Sequence, residues 1–250
     1  MIPEHHTYCE PYAGSMALLF TKDPSPIEIV NDLDSDVVNL FRCIQQDSER
    51  LARLVMTTPY SREVCDLQFE PDTGYTDRYQ KAAGFLIKCW QGHGSRITGE
   101  KVGWKNDVQG RERAYALWNW YRLPDWIIEV AERLRMVQIE HRPAPEVIRR
   151  FDYQNVFMYL DPPYLLSTRT AKQYKHEMTD EEHEELLKII TQSKAKIMIS
   201  GYESKMYDDY LKEWTRMEFR GTAEHAGIRT EVIWMNFNPS RQMSIADFIN

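Results

Sequence analysis

Residues 158–166 read MYLDPPYLL, an acid, two prolines and a tyrosine directly behind an apolar run of strand character. Proline has no amide hydrogen and a restricted φ, so Pro162 and Pro163 stiffen the chain and turn carbonyl groups outward as acceptors. The side chain of Asp161 and the carbonyl of Pro162 together can accept both hydrogens of an exocyclic amine. Tyr164 adds a flat face on which a base can stack. For the tetrapeptide alone, a plain strand-ending turn is the competing explanation.

Two upstream stretches change that balance. In TYCEPYAGS a strand ends at Glu10, and the chain turns through Pro11, Tyr12, Ala13 and Gly14 into a helix near SMALLF. A glycine in such a turn lets backbone approach a ligand closely, and a helix start presents unpaired amide donors. The turn is not GxGxxG, and strand-turn-helix units with one glycine are common, so it carries little weight alone. In IEIVNDLDSDVVNLF, Asp32 sits two residues past a strand that should lie beside the first. An acid there is placed to accept both hydroxyls of a ribose. The bland alternative is a turn residue at Asp32, with Asp34 or Ser35 capping the next helix.

The elements that must position these residues follow from apolar periodicity. Strands are predicted at 7–10, 27–30, 137–141, 156–161, 196–202 and 229–237, and helices at 34–56, 76–90, 112–121, 125–135, 144–151, 179–192 and 203–212. Thr179 with Glu182 three residues on is a capping box, which marks one helix start. Strands separated by helices predict an α/β, doubly wound sheet with helices on both faces, whose ligands bind at the carboxyl ends of the strands. Residues 59–135 are expected to form an inserted, mainly helical lobe between a first part, 1–58, and a last part, 136–250.

The chain has 250 residues, 42% of them hydrophobic, enough for a full core. Its net charge of −7 conceals a local excess of the opposite sign. Residues 78–113 hold eight Lys or Arg against three acids, together with Tyr79, Phe85, Trp90 and Trp104. Basic groups interleaved with aromatics on a polar, glycine-containing stretch suit a phosphate backbone and exposed bases, which makes Arg96, Lys101, Lys105, Arg111 and Arg113 the candidate contacts. A solvated loop beside core aromatics would read the same way. The four cysteines form no CxxC pair and the seven histidines are scattered, so neither a metal site nor a disulfide framework is expected. No run of about 18 apolar residues occurs, and the expected setting is cytoplasmic, without a membrane.

With these motifs in this order, the chain resembles the Dam-like DNA adenine (N6) methyltransferases over nearly its whole length. EPYAGS looks like their cofactor loop, NDLD their ribose acid and DPPY their catalytic motif; EMTDEEHEELL, ISGY and RTEVIWMN are similar to the family as well. The resemblance implies a Rossmann-like methyltransferase sheet with an inserted DNA-recognition lobe. It implies S-adenosylmethionine as cofactor, held by Glu10, Pro11, Tyr12, Ala13, Gly14, Asp32 and Asp161. Catalysis would fall to Asp161, Pro162, Pro163 and Tyr164, acting on double-stranded DNA by direct transfer to a flipped-out adenine. A monomer is implied, with no metal, in a restriction-modification or phage-like setting. No Pro-Cys dipeptide exists to support attack through cysteine on a cytosine ring carbon. Serine in place of Asp161 would point to the cytosine amine and asparagine to protein glutamine, so aspartate favours adenine.

Two departures accompany the resemblance. Family members begin with a glycine-rich segment similar to GGK, whose lysine is expected to meet the cofactor carboxylate; only nine residues precede Glu10 here and none is lysine. The chain is then a fragment, starts late, or uses another group, and weak cofactor binding is expected. In EHRPAPEVI an acid or amide is missing near Pro143, where the family contacts the cofactor adenine. Rival readings are a DNA- or cofactor-binding relic without turnover, and an amino-methyltransferase acting on RNA or protein; the basic lobe argues against a protein substrate. Replacing Lys101, Lys105, Arg111 and Arg113 with alanine should weaken DNA binding and flatten its log–log salt dependence by up to about 0.9 for each phosphate that is no longer neutralised. A salt titration of binding on both proteins checks this, with cofactor affinity expected to stay constant.

Overall fold

The computed structural model describes residues 1–70, 73–93, 101–106, 114–169, 174–223 and 227–239. In chain order the elements are β1 (Thr7–Glu10), α1 (Ala17–Thr21), β2 (Ile27–Asn31), α2 (Ser35–Met56), α3 (Arg62–Leu67), α4 (Arg78–Gln91), α5 (Tyr115–Leu134), β3 (Val137–Glu140), α6 (Ala144–Arg150), β4 (Val156–Leu160), α7 (Asp180–Ile190), β5 (Lys196–Tyr202), α8 (Lys205–Tyr210), β6 (Thr215–Ala223) and β7 (Gly227–Met235). The strands form one sheet in the order β3-β2-β1-β4-β5-β7-β6. β1 pairs in parallel with β2 and β4, and β4 with β5. β7 runs antiparallel to β5, and β6 to β7. The Rossmann-like α/β expectation is borne out.

Central parallel strands are covered on both faces, which is why VFMYL is nearly unbroken in its apolar character. Val156, Phe157, Met158 and Leu160 are all buried. Below them Ile197 and Ile199 of β5, Leu186, Leu187 and Ile190 of α7, and Trp234 of β7 complete a continuous core. Thr179 caps α7 through the expected reciprocal pair, its Oγ1 accepting from the Glu182 amide while the Glu182 carboxylate accepts from the Thr179 amide at 2.7 Å.

The chain divides into two compact units: Met1–Leu33 with Glu140–Lys172 and His176–Asn250, and Asp34–Ile139 with Gln173–Lys175. The first holds most of the sheet. The second is helical, with α2 packed against both α4 and α5.

Four elements differ from the periodicity reading, one of them the short helix α3, over which no helix is predicted. Helices predicted on either side of Pro124 are one helix, α5, with the proline inside it. A proline removes a single backbone bond, and the burial of Trp120, Leu123 and Ile127 on one stripe outweighs that loss. α2 contains a non-helical residue, Asp47, whose carboxylate accepts from the Arg50 amide at 3.0 Å and so restarts the helix as a cap. The periodicity predicts no strand over β6, because an edge strand of alternating charge and apolar residues carries a weak signal until its hairpin partner is known.

Trp234 is fully buried, and its Nε1 donates to Asp208 Oδ1 at 3.1 Å. Trp234→Ala should therefore lower the unfolding free energy by about 3–5 kcal/mol, measured by chemical denaturation.

Candidate active site

The strand order reverses at β1: β2 and β3 lie to one side, β4 and β5 to the other. A crevice at the carboxyl ends of the strands belongs at such a reversal. Glu10 is the last residue of β1 and Asp161 the first after β4, so register alone brings two carboxyl groups to its edge.

Glu10 is 1% exposed. Its Oε1 accepts from the Leu19 amide in the first turn of α1, at 2.8 Å, and from the Tyr8 hydroxyl. Tyr8 is wedged in place by Lys22, whose Nζ lies 4.4 Å from the ring centre and makes a buried ion pair with Glu28 at 2.5 Å. Burial pushes the Glu10 carboxyl up to about 7, and the neighbouring Asp161 charge pushes the same way, against its two hydrogen bonds.

Beyond Glu10 the chain turns sharply. Gly14 has φ +47° and Met16 φ +57°, both left-handed, and a Cβ built on Gly14 would meet nothing within 4 Å. The Gly14 amide donates to Asp32 Oδ2 at 2.9 Å, which joins the turn after β1 to the one after β2. Asn31 adds a second tie. Its Nδ2 donates to the carbonyls of Pro11 at 2.9 Å and Arg142 at 3.0 Å, and its Oδ1 accepts from the Arg142 amide at 2.8 Å. Ala13 is buried, and Tyr12 packs against the main core.

Asp161 is exposed at the end of β4, yet the protein crowded around it pushes its carboxyl upward. Ser200 Oγ donates to Asp161 Oδ1 at 2.7 Å, a charge-assisted bond that opposes the shift. Tyr164 is held edge-on against Tyr202, ring centres 4.7 Å apart at 78°. Burial also drives the Tyr164 phenol upward, so it stays protonated. Pro162 is buried and Pro163 half-buried.

The structure thus brings Glu10, Pro11, Gly14, Asp32 and the Asp161–Tyr164 loop to the strand ends of one unit. Of the candidate DNA contacts, Lys101 pairs with Asp66 at 3.1 Å and Lys105 donates its amide to the Gln91 carbonyl at 2.7 Å. Arg96, Arg111 and Arg113 lie outside the described residues. Sequence reasoning passed over Asn31, Ser200 and Tyr202. The signal was there for the last two, since ISGY is the carboxyl end of a strand beside the one that carries DPPY. Among the described residues no group of three or more His, Cys, Asp or Glu is placed to hold a metal ion, and no helix is long and apolar enough to cross a membrane.

A doubly wound sheet with a reversed hairpin at its edge, bearing an acid-Pro-Pro-Tyr loop at the strand reversal, defines a Rossmann-like enzyme of the methyltransferase type. The chain belongs to the D12 class N6 adenine-specific DNA methyltransferases, whose family model matches residues 1–223. It is an enzyme that methylates adenine in DNA, as the resemblance implied. No curated protein matches the chain.

Glu10 has a pH signature. A carboxyl near 7 in the fold, against 4.5 ordinarily, binds its proton more tightly folded than unfolded. Its stabilising effect is full below the ordinary value and is lost as pH rises through about 7. Without ligand, the unfolding free energy of the parent relative to Glu10→Gln should fall across that window with a slope approaching about 1.4 kcal/mol per pH unit. Urea denaturation of both proteins across the window measures the difference.

Proposed function

We propose that S-adenosylmethionine is the methyl donor and that Glu10, Pro11, Tyr12, Ala13, Gly14, Asp32 and Asp161 hold it. The carrying observation is the pair of neighbouring carboxyl groups at the strand reversal, each pushed upward by its surroundings. Two such groups repel, and a ligand carrying positive charge relieves both the repulsion and the desolvation. S-adenosylmethionine has an ammonium and a sulfonium. The open space at Gly14 leaves backbone accessible for close approach, and Asp32 stands where ribose hydroxyls are accepted.

When bound, this cofactor supplies an electrophilic methyl group. The adenine amine is a poor nucleophile, because its lone pair is delocalised into the ring. Asp161 and the Pro162 carbonyl accept its two hydrogens, which favours a pyramidal nitrogen with the lone pair aimed at the methyl. Pro163 keeps the loop stiff, and Tyr164, braced by Tyr202, stacks on the flipped base. Asp161, beside the amine, would be the base for the proton that the nitrogen gives up on methylation.

The substrate is double-stranded DNA, and residues 59–135, with Arg96, Lys101, Lys105, Arg111 and Arg113, form its recognition lobe. The reading is supported by the basic, aromatic composition of that segment.

Incubation with S-adenosylmethionine and unmethylated plasmid, followed by nucleoside mass spectrometry, tests donor and product together; N6-methyladenine should accumulate. Asp161→Ala should lower kcat by about a hundredfold or more. Methylation by Asp161→Ala at the parental rate would refute the assignment.

A further inference from the structure

We infer that Ser200 is a positioning residue for methyl transfer: its hydroxyl, backed by Tyr159, fixes the Asp161 carboxylate that receives the target amine. This rests on the role given to Asp161 above. β4 and β5 are parallel neighbours paired at Leu160 and Ile199, so Ser200 and Asp161 each stand one residue beyond that pair. Ser200 is 7% exposed. Its Oγ lies 2.7 Å from Asp161 Oδ1, 3.2 Å from the Leu160 carbonyl and 3.3 Å from the Tyr159 hydroxyl.

A serine hydroxyl has one proton to give. The shorter contact and the charged acceptor both direct it to Asp161. Tyr159, kept protonated by its burial, then donates into Ser200 and completes a chain from Tyr159 to Ser200 to Asp161. Without it, the terminal torsion of an aspartate is broad and two-fold. An acceptor that must meet one hydrogen of an amine gains from being held in a single orientation.

Ser200 also acts on charge. The groups that face Asp161 are Glu10 on β1, Tyr159 on β4, Tyr164 on its own loop, Tyr207 on α8 and Glu231 on β7. Burial opposes the ionisation of Asp161, whose charge in turn pushes the Glu10 and Glu231 carboxyls upward. The donors Ser200 and Tyr164 favour that ionisation. Loss of the Ser200 hydroxyl therefore moves the Asp161 carboxyl further upward.

The test is steady-state methylation across pH by the parent and by Ser200→Ala, Ser200→Thr and Asp161→Asn. Ser200→Ala should lose about ten- to a hundredfold in kcat, the effect of one charge-assisted hydrogen bond. Its KM for plasmid should change little, and the acid limb of its pH profile should move to higher pH. Ser200→Thr, which keeps the hydroxyl, should retain most of the parental kcat and the parental limb. A parental rate and profile in Ser200→Ala overturns the inference, as does a loss that Ser200→Thr shares in full, because that marks a packing role. If thermal melting shows Ser200→Ala unfolded, Ser200→Cys, near-isosteric with a weaker donor, carries the same test, and an unmoved acid limb overturns the inference. Asp161→Asn separates the two levels: inactivity there with a normal Ser200→Ala defeats only the positioning role, whereas parental activity defeats the reading of Asp161 itself.

Discussion

Two like-charged groups on adjacent parallel strands are the constraint around which the sheet unit is arranged. Glu10 is withdrawn from water and Asp161 stands beside it, so burial and the Asp161 charge both make Glu10 harder to ionise. Such an arrangement persists only where the surrounding structure over-determines it. Here the over-determination is visible. Tyr8 and the first turn of α1 hold Glu10, Ser200 holds Asp161, and both strands run through the middle of a sheet buried on two faces.

The loops around the pair are tied to their neighbours by side chains, in two cases through the backbone and in one by ring contact. Asn31 clamps Pro11 and Arg142 by three bonds, Asp32 anchors Gly14, and Tyr202 braces Tyr164. Catalysis by positioning depends on such supports, because a displacement of about 1 Å at the reacting atoms can cost two orders of magnitude in rate. The missing acid or amide near Pro143 is set in the same light, since Asn31 reaches across to that segment from β2.

The helical unit follows different physics. Its α2 is capped at both halves by aspartates, Asp34 at the start and Asp47 at the restart, and Lys175 and Lys81 bind the acids of its first turn. Lys101, one of the basic residues of this unit, already has a carboxylate partner in Asp66. Exposed ion pairs of this kind are worth at most about 1 kcal/mol.

Much of the chemistry was legible along the chain because the key motifs are local: EPYAG, NDLD and DPPY each follow an apolar strand run, and a strand-ending loop must emerge at one edge of a parallel sheet. The capping box at Thr179 and the cap at Asp34 were likewise readable, since an N-cap is a contact over two or three residues. What the chain could not state was which strand ends adjoin. Glu10 and Asp161 are 151 positions apart in number, and Ser200 another 39; only the parallel pairing of β1 with β4 and of β4 with β5 makes them neighbours. The same holds for α5, where a proline reads locally as a break and tertiary burial of Trp120, Leu123 and Ile127 carries the helix through it. Local sequence determined the kinds of groups and the turns that present them; the tertiary structure decided their partners, because hydrogen bonds and charge repulsion act over a few ångströms in space whatever the separation along the chain.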